Sequence, residues 1–218
     1  MKLSRESRLT GAWVCIAVLL LTVIQLAIGA FGDLPQFADK GFGYRLVVYP
    51  VLMLIVPLVW RLRNRDVATR SVPWVAFALI GAPFLIDVSG NTAGLYDSID
   101  VWDNINHFVN WMLLSAGIGL LLARIDIRPA WMLVLLITGI GCLLALGWEI
   151  GEWWTFIRRG TELKGAYEDT LSDELLGTAG AFVAGLLVAR WRTGVGSSAV
   201  GPLHRSKDSG IYSDDSPL

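Results

Sequence analysis

The second half of the chain brings five carboxylates and one imidazole together at helical spacing. Asp103 and His107 stand at i, i+4, Glu149 and Glu152 at i, i+3, and Asp169 and Asp173 at i, i+4. Each spacing puts both side chains on one helix face. Like charges gathered near a low-dielectric medium need a cation, a shared proton or an arginine partner. Helical carboxylates joined by a His one turn away are a recurrent metal arrangement in bundles. Oxygen ligands favour Mg, Ca or Mn, and an imidazole admits Zn. The candidate metal ligands are therefore Asp103, His107, Glu149, Glu152, Asp169 and Asp173, with Glu174 a further acid nearby and Arg158 and Arg159 as counterions. A structural hydrogen-bond network between helices, or unrelated acids at solvated helix ends, would use the same residues.

The elements that position them are membrane helices. Of the 218 residues 54% are hydrophobic and only 17% charged, and apolar runs of membrane length recur. The pattern predicts an all-α, polytopic bundle of six transmembrane helices within residues 1–192. The spans fall at about 12–31, 46–60, 72–86, 105–123, 130–154 and 170–189. Spans two and three are short, with Pro50, Pro57 and Pro83 inside them, so a shallow re-entrant pair is the alternative. The first run is too long for a signal-peptide core, although Ala27–Ala30 resembles a cleavage site. With both termini cytoplasmic, 13 Lys and Arg fall inside and five outside, while six acids fall inside and 13 outside. That asymmetry obeys the positive-inside rule. Trp13, Trp60, Trp74, Trp131 and Trp191 then mark the inner interface, and Trp102, Trp148, Trp153 and Trp154 the outer one. This places all six candidate ligands at the outer face, on three consecutive helices.

The remaining features are plainer. Cys15 and Cys142 sit in apolar runs and read as small core residues. The line from Asp173 through Gly177, Ala181 and Gly185, and the pair Gly147 and Gly151, read as close-packing positions. Residues 87–103 read as an acidic outer loop able to gather cations. Residues 193–218, including His204, read as a disordered cytoplasmic tail. No nucleotide-binding, zinc-protease, redox or serine-nucleophile motif is present in the sequence. The basic residues follow the membrane pattern, which excludes nucleic acid as the expected partner.

The segments Asp103-x-x-x-His107-Phe108, Trp148-Glu149-x-x-Glu152-Trp153-Trp154 and Asp169-x-x-x-Asp173, followed by Gly180-Ala181, resemble the YjdF-like family of bacterial inner-membrane proteins. The likeness covers roughly residues 90–187, and a weaker one is to VanZ-like membrane proteins. Trp148 stands where that family's pattern leads one to expect a tyrosine, and the linker before Asp169 is short. The resemblance implies a bacterial inner-membrane protein and supplies no reaction. The expected function is a carboxylate/His site at the outer face, binding a divalent metal (Mg, Mn, Ca or Zn) and acting on an envelope lipid, headgroup or small polar substrate. A small ion or solute transporter and a non-catalytic membrane scaffold are the alternatives.

Overall fold

A computed structural model of the chain describes residues 5–65, 72–155, 157–159 and 164–199. All regular structure among them is helical. The long helices are α1 (Arg5–Phe31), α2 (Phe42–Arg63), α3 (Trp74–Thr92), α5 (Trp102–Leu122), α6 (Ala130–Thr155) and α7 (Ala166–Ala199), with a single turn α4 (Leu95–Ser98) between α3 and α5. Six helices are long and apolar enough to cross a membrane. Each connection reverses the chain, so the bundle has two ends. One carries Asp33, Asp39, Asp97, Asp100 and Asp169; the other carries Arg61, Arg63, Arg124, Arg128, Arg190 and Arg192.

Helices α2 and α3 are longer than the hydropathy pattern suggests. Pro50 and Pro57 lie inside α2, and Pro83 inside α3, without ending either helix. The polar residues that hide the true end of α3 are satisfied within it: Asn91 donates to the Asp87 carbonyl at 3.0 Å and Thr92 to that of Val88 at 2.8 Å. Asp87 is thus a helical residue turned inward, not part of an acidic loop. At the other end of the chain, α7 continues to Ala199, past the expected start of the tail. Residues 200–218, with His204, lie outside the described residues, as does Arg70. Ala27–Ala30 lies within the uninterrupted α1.

The interior is largely apolar, but the outer surface is apolar as well, unlike that of a water-soluble protein. Leu, Ile, Val and Trp side chains cover the outside, while Thr22, Asn91, Asn106, Ser115, Glu149 and Asp173 are buried. Such a distribution suits hydrocarbon as the surrounding solvent. The helices form a curved row: α2 on α1, α1 on α3, α3 on α5, α5 on α7 and α7 on α6. Leu26, Tyr49, Met53, Phe84 and Val88 make one core cluster near the acidic end, and Leu133, Ile137, Ala184 and Val188 a second between α6 and α7.

Small residues draw α5 and α7 together in a regular ladder. His107 faces Asp173 at 3.6 Å. One turn deeper Trp111 lies over Gly177, where an added Cβ would come within 2.7 Å of its ring. One turn deeper again, Ser115 and Ala181 both crowd Gly141 of α6. Gly180 meets the Phe108 carbonyl of α5, an approach that leaves no room for a side chain. Gly147 and Gly151, by contrast, face open space, so the small pair on α6 is not a packing seam.

Candidate functional site

The ladder ends at the acidic end of the bundle in a compact trio. The His107 Nε2 stands 3.6 Å from Asp173 Oδ2 and 3.8 Å from Asp103 Oδ1. One ligand atom from each of the three lies within 4.8 Å of the others. Asp173 is 2% exposed and His107 10%, while Asp103 is 39% exposed and forms the wet side. These separations exceed a hydrogen bond. They match two ligands flanking a common ion at about 2.0–2.4 Å, which places ligand atoms roughly 3–4 Å apart. Among the described residues, Asp173 Oδ1 and His107 Nδ1 are buried with no hydrogen-bond partner.

The other three sequence candidates are nearby but do different things. Glu149 is 6% exposed and accepts a hydrogen bond from the Thr170 hydroxyl, which ties α6 to the start of α7. Glu152 accepts from the Trp148 indole at 2.9 Å and lines a cavity. Asp169 is exposed and lines the same cavity from the first turn of α7. Glu149 and Glu152 therefore share a helix face loosely but not a partner.

The cation facing this site is one the sequence did not single out. Arg158 lies over the Trp153 and Trp154 rings, 5.9 and 4.3 Å from their centroids, at the lipid-facing rim. The side chain of Arg159 lies outside the described residues. Arg45 of α2 instead reaches inward, where its Nη1 donates to Asp87 Oδ2 at 2.9 Å. Asp87 also accepts from the Tyr49 hydroxyl at 2.6 Å and the Tyr96 hydroxyl at 2.7 Å. Asn106 donates to the Tyr96 oxygen and accepts from Asn110 at 2.7 Å. The network therefore runs from α2 through α3 and α4 to α5, and ends one residue from His107. Burial, reinforced by the Asp87 carboxylate, pushes the Tyr96 phenol well above its usual range, so it remains a neutral donor. Lys40 caps the rim through Asp97 at 2.7 Å.

Trp102 and Trp148 belong to this interior and not to an interfacial belt. The Trp148 ring stands 6.0 Å from Tyr49 and packs on the first core cluster. The Trp102 ring meets Tyr96 edge-on, and its indole nitrogen is buried without a partner. Trp13, Trp131, Trp153, Trp154 and Trp191 do face outward.

A cavity of about 620 Å³ joins these groups. Its polar end holds Arg45, Asp87, Asp103, His107, Glu152 and Asp169; its deeper walls are apolar, from α2, α3, α5 and α6. No single stretch of sequence announces it, because it lies where α2 and α6 do not close on each other. The nearest signal was the pair of polar residues, Arg45 and Asp87, inside otherwise apolar helices. Intramembrane ionisable groups of that kind mark function by default.

Comparisons with curated proteins and with solved structures return no match. A family model for predicted membrane proteins, DUF2238, matches residues 9–194, which takes in all six long helices and every residue of the site. The chain belongs to the DUF2238 family of predicted membrane proteins.

Proposed function

We propose that this chain is a multi-pass protein of a bacterial inner membrane. Both termini are cytoplasmic and the acidic end faces outward. Asp103, His107 and Asp173 hold a divalent metal there, and the ion serves chemistry on an envelope lipid or its headgroup. The split of 13 basic residues to five supports the orientation. The YjdF-like segments, Glu149-x-x-Glu152-Trp153-Trp154 above all, support the bacterial inner membrane.

The observation that carries the metal is the trio itself. A buried imidazole stands between two carboxylates at distances too long for hydrogen bonds. Among the described residues, the Asp173 carboxylate also keeps an oxygen with no partner. A cation placed among them would neutralise the acids and engage their free lone pairs. Among Mg, Mn, Ca and Zn, an imidazole ligand favours Zn, with the exposed side at Asp103 left for water or substrate. A metal there would act as a Lewis acid toward a carbonyl or phosphoryl oxygen, or activate a bound water. Glu152 and Asp169, on the same cavity wall, are the carboxylates placed to handle protons.

Metal content per chain tests the reading directly. Protein purified without chelator and offered Zn or Mn should hold about one ion per chain, as a single three-ligand site with an open position requires. His107→Ala and Asp173→Asn should each lose it. Glu149→Gln should keep it, because Glu149 serves Thr170. Wild-type protein that stays metal-free under these conditions contradicts the proposal. It would move a transporting or scaffolding role ahead.

A further inference from the structure

The cavity has two chemically distinct ends, and its geometry names an occupant. Beyond the polar end it is walled by Leu52 and Val56 of α2, Ile80 of α3, Leu114 and Ile118 of α5, and Leu143 of α6. From Arg45 to Val56 along α2 is ~16 Å, and from Asp103 to Ile118 along α5 is ~22 Å. A single leaflet of hydrocarbon is about 15 Å deep. The cavity as a whole, polar end included, therefore spans about the depth of one leaflet, with its apolar walls forming a shaft at the deeper end. Leu52 and Leu143, on its α2 and α6 walls, remain 38% and 69% exposed, so that side opens to the bilayer. Water in such a shaft would have few polar partners, whereas a hydrocarbon chain would match every wall.

The polar end selects the headgroup. Arg45 lines it, and Asp87 engages only Nη1 of its guanidinium. Its ring contacts with Phe42 and Tyr49, each 5.8 Å from the guanidinium carbon, hold the fork in place. Arg45 lines the same cavity as Asp103 and His107, and a partly engaged guanidinium across that cavity from a bound divalent ion would make a two-sided clamp for a phosphate group. We infer that the cavity binds a phosphate-bearing membrane lipid, its chain in the apolar shaft and its phosphate between Arg45 and the metal held by the Asp103–His107–Asp173 trio. The inference rests on the metal reading, because without the ion the acids Asp87, Asp103, Glu152 and Asp169 would repel an anionic headgroup.

The test is native mass spectrometry of the full chain released from nanodiscs. The bilayer should contain phosphatidic acid, phosphatidylcholine and a cationic trimethylammonium lipid in equal amounts. Wild type should retain one phosphatidic acid, enriched about tenfold over its bilayer share, as one charge-assisted contact predicts. Leu143→Trp blocks the open side of the shaft from an exposed position that tolerates a large side chain, and should abolish retention. Arg45→Lys keeps the charge beside Asp87 but loses the fork, and should reduce the enrichment severalfold. Retention in proportion to bilayer composition, enrichment of the cationic lipid, or unchanged retention in Leu143→Trp would overturn the inference. Lipid-free chain carrying a bare phosphate adduct would mark a free-phosphate site and overturn it equally. Metal analysis of the same samples separates the two proposals. Stoichiometric metal without lipid enrichment leaves the metal site standing and ends the lipid one. Metal-free protein ends the metal reading and, since the clamp needs the ion, overturns this inference with it.

Discussion

A substitution that touches no proposed ligand should still weaken the metal site. Gly177 lies one turn below Asp173 on α7, and Trp111 one turn below His107 on α5. A Cβ on Gly177 would come within 2.7 Å of Trp111 Cδ1 and 3.2 Å of Ala145 Cβ. The first of these is roughly 0.8 Å inside the ~3.5 Å at which carbon–carbon contact becomes favourable. Trp111 is itself 9% exposed, so its ring has little space to rotate away. Gly177→Ala must therefore part α5 from α7, and it does so directly beneath the 3.6 Å His107–Asp173 pair. Metal ligands tolerate displacements of only about 0.2 Å. Overpacking of this kind costs about 1–3 kcal/mol in stability. Metal affinity should fall about 10–100-fold, the range seen when a supporting contact outside the ligands is lost. Gly151→Ala is the control, since nothing stands within 4 Å of a Cβ there. It should keep wild-type stability and metal content. The assay is competitive metal titration with a chromophoric chelator, alongside thermal unfolding in detergent. Gly177→Ala with wild-type metal affinity would refute the ladder as the device that sets the site.

The Arg45–Asp87 pair should behave as a buried ion pair. Asp87→Leu should lower stability by about 3–5 kcal/mol, and adding Arg45→Leu to it should recover most of that, in a double-mutant cycle of the two changes read by unfolding. Reporter fusions after Arg65, Arg128 and Arg192 should read cytoplasmic and one after Gly94 external; an external reading at Arg65 would invert α2 and α3. Tyr96 predicts an alkaline sensitivity. Its folded ionisation is raised above the ordinary 10.0, so the unfolded chain loses that proton first and stability falls only as pH rises above about 10. Tyr96→Phe should flatten this loss in a series of unfolding curves, and an identical slope in both proteins would assign it elsewhere.

What the sequence shows, and what it hides, divides along physical lines. The stripe of Asp173, Gly177 and Ala181 was legible because helical period and residue size are local properties. On α5 only His107 was legible; Trp111 and Ser115 below it were not, since large and polar residues on an apolar helix acquire meaning only from the small stripe they meet. The ends of α2 and α3 were misread for a related reason. Arg45, Asp87 and Asn91 look like loop residues by hydropathy, yet Arg45 and Asp87 pair across the bundle, 42 residues apart, and Asn91 is satisfied within α3 by Asp87. Trp102 and Trp148 sit at interfacial positions along their spans but turn inward; position along a span says nothing about which way a ring turns. Gly147 and Gly151 have the spacing of a packing seam but no helix opposite them. The cavity was the least legible feature, being defined by two helices that do not touch along most of their length.

The central claim is that a metal ion completes the trio, and thermal unfolding with and without a chelator tests it most directly. An ion present at about 100 times its dissociation constant stabilises the folded state by about 2.7 kcal/mol. For a chain of this size that is about 5–10 °C in the midpoint. Chelation should therefore lower the wild-type midpoint by that amount and leave Asp173→Asn almost unmoved, because the variant has little bound ion to lose. In a purely hydrogen-bonded trio the amide introduced by Asp173→Asn would still find a partner, and neither protein would respond. A wild-type midpoint indifferent to the chelator, in protein that carries no stoichiometric metal, would contradict the account.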